Sequence, residues 1–165
     1  MKIIQVVGYK NSGKTTVSSG IIKMLTKKGY RVASLKHHGH GGVPLGLEDT
    51  DSERHLRAGS VLAGVEGEGH LNLSVQDMDW NMESLIGIYR AMHTEILVIE
   101  GFKQHNFGKI VLLRNQEDSH LLNNSSNIKA ILAEETLENV THPIFHNNND
   151  LYNWVENNLS IFKNH

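Results

Sequence analysis

Gly8-Tyr9-Lys10-Asn11-Ser12-Gly13-Lys14-Thr15 has the spacing G-x-x-x-x-G-K-[ST], and the chemistry that spacing suits is the cradling of a polyphosphate. Small residues at Gly8, Ser12 and Gly13 let the backbone N–H groups of residues 8 to 16, those of Lys10, Asn11 and Thr16 included, turn toward anionic oxygens. Lys14 would reach the β and γ phosphates, and the Thr15 hydroxyl would hold Mg²⁺. A matching acid lies far along the chain, where Ile96-Leu97-Val98-Ile99 runs without interruption into Glu100. A buried central strand is what aims such a carboxylate at the metal or its water. Glu100 replaces the commoner aspartate, and its extra methylene suits contact through a metal-bound water or activation of water. Lys14 and Glu100 are thus the candidate catalytic pair. Thr15, Glu100 and Asp51 are the candidate metal ligands. Asp51 carries a second reading, because Thr50-Asp51-Ser52-Glu53 has capping-box spacing and would start a short helix over Arg54–Ala58 with no ligand at all.

These side chains need a frame, and alternating periods supply it. Ile3 to Val7 reads as a strand entering the loop; behind the loop Val17, Ile21, Met24 and Leu25 share one helical face, and Gly29 stops the helix. Arg31 to Lys36 reads as a second strand delivering Lys36-His37-His38-Gly39-His40 to the ligand-binding edge of a parallel sheet. There the histidines either face a ligand or sit in a solvated glycine-rich connection. From Ser60 to Gln76 the period is two, giving a pair of strands around Glu66-Gly67-Glu68-Gly69 that is expected to extend the sheet at one edge. Met82, Leu85, Ile86, Tyr89 and Met92 predict a core-packed helix over roughly 78–92. Lys109–Leu113 and Ile128–Ala133 read as further strands, with Arg114 ending the first and Glu134 the second. Glu117 to Ser126 is polar, a loop or weak helix. Asn147 to Asp150 caps a last helix carrying Leu151, Trp154, Val155 and Phe162. The expectation is an α/β chain of P-loop NTPase-like architecture: one doubly wound, mostly parallel sheet over 1–165, helices on both faces, and a short two-strand edge insertion.

Bulk properties narrow the functions. With 165 residues and a formal charge of −2 there is no general attraction to nucleic acid or acidic membranes, so any polyanion must be held locally. No cysteine is present, which excludes disulfides, thiolate metal sites and thiol catalysis and fits a cytoplasmic protein. No apolar run reaches spanning length, and neither a leader nor a membrane segment is expected.

The loop GYKNSGKTT, the strand-end LKHHGH, the segment from Glu48 to Gly59, ILVIEGFK and KIVLLR together resemble the MobB family. The likeness covers most of Met1 to Arg114 and is faint beyond Ala133. It implies a homodimeric protein that binds GTP with Mg²⁺, hydrolyses it slowly if at all, and assists MobA, the guanylyltransferase that joins GMP to molybdopterin. The same resemblance carries the phosphate role to Gly13, Lys14, Thr15 and Thr16, the metal or water role to Glu100, and a metal role to Asp51. The histidine-rich run after the second strand departs from the family pattern. The guanine-reading Asn/Thr-Lys-x-Asp stretch is absent, and Glu134 is the positional candidate for contact with the base. Two other readings follow from the same loop. One is a nickel-delivery GTPase using His37, His38 and His40; the other is a small-molecule kinase, for which no basic lid can be assigned.

Overall fold

The computed structural model describes residues 1–38, 50–76, 79–135, 137 and 140–165. The chain packs as two compact units, Met1–Gly39 with Ile86–His165, and His40–Leu85.

In the first unit β1 (Lys2–Gly8) runs into α1 (Lys14–Lys27) and β2 (Val32–Lys36). The β1 residues Ile3, Ile4, Val6 and Val7 are all buried, which fits a strand covered on both faces. Gly29 has φ +89°, a left-handed value that lets the chain leave α1 sharply. In the second unit α2 (Asp51–Arg57) starts three residues earlier than the sequence reading placed it, with the Thr50 hydroxyl accepting from the Glu53 amide at 3.4 Å. It is followed by β3 (Leu62–Gly67) and β4 (His70–Val75). Glu68 and Gly69 make the turn between them with φ of 51° and 79°, the two positive values a tight hairpin requires. α3 (Met82–Ala91) begins where Asn81 accepts from the Ser84 amide, so the expected start near Met78 is too early, and Met78 itself lies outside the described residues.

The remaining elements belong to the first unit: β5 (Ile96–Glu100), β6 (Gly108–Leu113), α4 (His120–Asn123) after a single 3-10 turn, β7 (Ile128–Ala133), β8 (Ile144–Phe145) and α5 (Asn148–Asn157). Six strands form one all-parallel sheet in the order β2-β5-β1-β6-β7-β8. One face buries Ile4, Val6, Val98 and Leu112 under Val17, Ile21 and Leu25 of α1, Leu151 and Val155 of α5, and Phe162. Val7, Val111 and Ile131 point the other way and pack with Leu121 of α4. Lys109 is wholly buried, and among the described residues no carboxylate pairs with it. Its ammonium donates to the His105 carbonyl and, at 3.5 Å each, to the Phe107 carbonyl and Ser126 Oγ, and burial pushes its pKa down.

Two further expectations are corrected. The β3–β4 hairpin does not extend the large sheet; it is a separate two-stranded sheet. Alternation announces a half-buried pair but says nothing of what it pairs with. Met92 is not core either: it is 62% exposed, because the chain turns out of the helix at His93, whose φ is 55°.

Candidate functional site

The phosphate loop closes on itself before any ligand is considered. Ser12 donates its amide to the Tyr9 carbonyl at 3.3 Å, Asn11 and Gly13 take left-handed backbone angles, and a Cβ on Gly8 would stand 2.3 Å from Ser12 Oγ and 3.0 Å from the Leu112 carbonyl. A side chain at position 8 would therefore displace Ser12 and press on the Leu112 backbone. Gly13 is the N-cap of α1; it supplies no side-chain cap, and the first turn holds no acid. The opening amides of α1 are thus left for an anion, with the positive end of the helix dipole behind them. Lys14 extends back along the loop and donates to the Tyr9 carbonyl at 2.6 Å. Its pKa is lowered, chiefly by burial; Glu100 opposes that shift, while Lys36 and Arg114 add to it. The negative charge of an arriving phosphate would offset these lowering influences by favouring the charged amine.

Strand order brings the distant acid to this loop. β5 lies beside β1, with Val6 opposite Glu100, and β2 lies beyond it, with Lys36 opposite Glu100. The Thr15 hydroxyl donates to both Glu100 carboxylate oxygens at 3.1 Å. The Lys36 ammonium stands 3.2 Å from Glu100 Oε1 and 3.4 Å from Thr15 Oγ1. A hydroxyl and a carboxylate, both hard oxygen donors beside a phosphate loop, suit Mg²⁺, which binds few protein oxygens and keeps its waters. Lys36 places a positive charge at the same point.

Glu100 is fixed from below by a residue the sequence reading passed over. Gln5, fully buried in β1, donates through Nε2 to the carbonyls of Gly101 and Phe102 at 2.8 Å each. Those two residues have φ of 89° and 52°, so the turn after Glu100 is a constrained one that the amide clamps. The available signal was a lone amide in an otherwise apolar strand. Asp118 was missed as well. It is buried, accepts from Arg114 Nε and Nη2 at 2.8 Å and from the Arg114 amide at 3.0 Å, and Arg114 holds its carboxyl below the usual range. Arg114 so held reaches the Lys10 carbonyl at 3.4 Å and lies 5.8 Å from the Tyr9 ring centre. The spacing of Arg114 and Asp118 around a capping Asn115 was the clue.

Asp51 belongs to the second unit, where its highly exposed carboxylate pairs with Arg54 at 3.0 Å within α2. His37 packs against Phe102 with ring centres 4.6 Å apart, whereas His40 lies outside the described residues. Among the described residues no three His, Cys, Asp or Glu side chains gather as a metal site, and no helix is long and apolar enough to cross a membrane. Beyond the loop, on the β6–β7 side, a cavity of about 520 Å³ runs from Asn11, Gly13 and Thr16 to Arg114, Glu134 and His146.

Residues 3–134 match the family model described as molybdopterin guanine dinucleotide synthesis protein B, MobB. A probable molybdopterin-guanine dinucleotide biosynthesis adapter protein of Bacillus subtilis (strain 168) is 40% identical over 148 residues, 87% of this chain and 84% of the relative. The crystal structure of Bacillus subtilis MobB superposes with a TM-score of 0.82 at 36% identity, all of both chains being covered. That of a MobB homolog from Bacillus stearothermophilus gives 0.79 at 31%, over 97% of this chain and 99% of the other.

Proposed function

The chain belongs to the MobB family, and from that premise we propose that it binds GTP with Mg²⁺ at residues 8–16 and acts as an adapter in making the guanine dinucleotide form of molybdopterin. The observation that carries the nucleotide reading is the approach of Glu100 to Thr15, 3.1 Å for each carboxylate oxygen across 85 residues of sequence. Gly8, Lys10, Asn11, Ser12, Gly13 and Thr16 surround the phosphates, Lys14 neutralises them, and Thr15 and Glu100 face the metal. When bound, Mg²⁺ draws charge from the phosphate oxygens. Glu100 orients the water beside it, and Gln5 keeps Glu100 in place.

Turnover is slow in the isolated protein. Arg114 is committed to Asp118 and Lys36 to Glu100, so neither is held ready for a transition state. An arginine supplied to such a site is worth on the order of 10³–10⁵ in rate, so a partner is required for fast hydrolysis. The partner proposed is MobA, with molybdopterin as the pathway's cargo, in the cytoplasm.

The protein acts as a homodimer. In support, the hairpin register places Leu62, Leu71, Leu73 and Val75 on one face, where Leu71 and Leu73 are each 56% exposed. Calorimetry with Mg²⁺–GTP tests the nucleotide reading. Lys14→Ala is expected to lose at least about 100-fold in affinity, the scale of truncating one member of a desolvated charge pair. Equal affinities for the two proteins would overturn the assignment.

A further inference from the structure

The cavity beside the phosphate loop has a chemistry that the metal side lacks. Glu134, at the end of β7, lines it and makes no hydrogen bond or ion pair among the described residues; the same is true of the Asn148 side chain at the start of α5. His146 lines it too, held by an Nδ1 contact of 2.8 Å with the Ala133 carbonyl. Because a carbonyl only accepts, Nδ1 carries the proton, and Nε2 of the neutral ring is an acceptor. Leu113 and Leu132 supply apolar wall, and Asn11, Gly13 and Thr16 join the cavity to the loop.

Its position suits a nucleoside. Glu100 and Lys36 occupy the β5 side of β1, so the end of the polyphosphate that meets the metal points that way, and whatever the phosphate chain is attached to must leave on the β6 side. β6 separates β1 from β7, which puts the end of β7 two strand spacings, about 10 Å, from the loop. A phosphate and a ribose together bridge a gap of that order.

We propose that this cavity is the base pocket of the nucleotide site and that the Glu134 carboxylate selects guanine in it; the proposal rests on the nucleotide reading above. An ionised carboxylate offers only acceptors. Guanine presents two adjacent donors, N1–H and the N2 amine, that pair with its two oxygens. Adenine presents a bare N1 to the same carboxylate and is repelled. Xanthine has a carbonyl where guanine has the N2 amine, so it too meets an acceptor with an acceptor. Sites built to hydrogen-bond a substrate discriminate strongly against analogues lacking the matching group, because a polar group is then left unpaired.

Calorimetry at fixed Mg²⁺ with GTP, xanthosine triphosphate, ATP and inorganic tripolyphosphate, on wild type and Glu134→Gln, tests this. Glu134 is exposed and pairs with none of the described residues, so Glu134→Gln should melt as wild type does. The amide oxygen still accepts from N1–H, but the amide N–H now faces position 2 of the base. The expected result is a loss of about 10- to 100-fold for GTP, a gain of similar size for xanthosine triphosphate and no change for tripolyphosphate. If GTP and xanthosine triphosphate bind Glu134→Gln as they bind wild type while tripolyphosphate still binds, the base pocket is wrong and the phosphate loop stands. If wild type binds neither tripolyphosphate nor any nucleotide, the underlying nucleotide reading falls, and this inference with it.

Discussion

On the β5 side of the phosphate loop the polar groups satisfy one another: Thr15 donates to Glu100, and Lys36 pairs with Glu100. On the β6 side Arg114 is locked to buried Asp118, and beyond it lies open space lined by Glu134, which pairs with none of the described residues. The first flank is already neutralised, so on the proposed reading a metal ion would have to displace the Lys36 ammonium from Glu100. The second needs no such exchange. On the proposed reading its response to a ligand would depend on shape and on hydrogen-bond pattern. One flank handles charge and the other offers room.

Three substitutions break or sharpen this contrast. The largest effect is expected from Gly8→Ala, beneath both flanks. The Leu112 carbonyl, 3.0 Å from the added carbon, is backbone and cannot swing aside as Ser12 can. A stability loss of about 1–3 kcal/mol in chemical denaturation should accompany loss of triphosphate binding at both flanks; a variant with native stability and native affinity would show that the floor tolerates a side chain. Glu100→Gln addresses the charged flank alone. Mg²⁺ titration of the GTP complex should show roughly 10- to 100-fold weaker metal dependence, while binding of GTP in excess chelator stays near wild type. Equal metal dependence in the two proteins would end the assignment of Glu100.

The smallest effect belongs to Asp118→Asn on the other flank, a fall in melting temperature of roughly 2–4 °C at neutral pH with unaltered metal dependence. Its pH course has a definite sign. Arg114 holds the folded carboxyl below its ordinary 3.8, so the wild-type advantage is complete above that value and fades as pH falls from it through the lower folded pKa. An advantage that persisted in stronger acid would mean that packing, not charge, makes the difference.

Much of the charged flank was legible because its information is local. Eight contiguous residues specify the loop, and an apolar run ending in Glu100 specifies a central strand. The grip on that strand was not legible. Gln5 meets Gly101 and Phe102, and Lys36 meets Glu100, only because the order β2-β5-β1 makes neighbours of segments far apart in sequence. Glu134 was readable as a strand end but not as the wall of a cavity, since the cavity also needs β8 and the start of α5. The hairpin failed for a related reason: its period of two is compatible with membership of any sheet, and Leu71 and Leu73 remain exposed.

The placement of β1 also sets an order of events in synthesis. Both of its hydrogen-bonded neighbours, β5 and β6, come from residues 96–113. A nascent chain therefore emerges from the ribosome with its first strand lacking either flanking strand, and the apolar surface of that strand stays exposed until the downstream segment arrives. Pairing across such separations closes long loops before any contact compensates, which makes assembly slow and leaves an interval open to mispairing and to capture by chaperones.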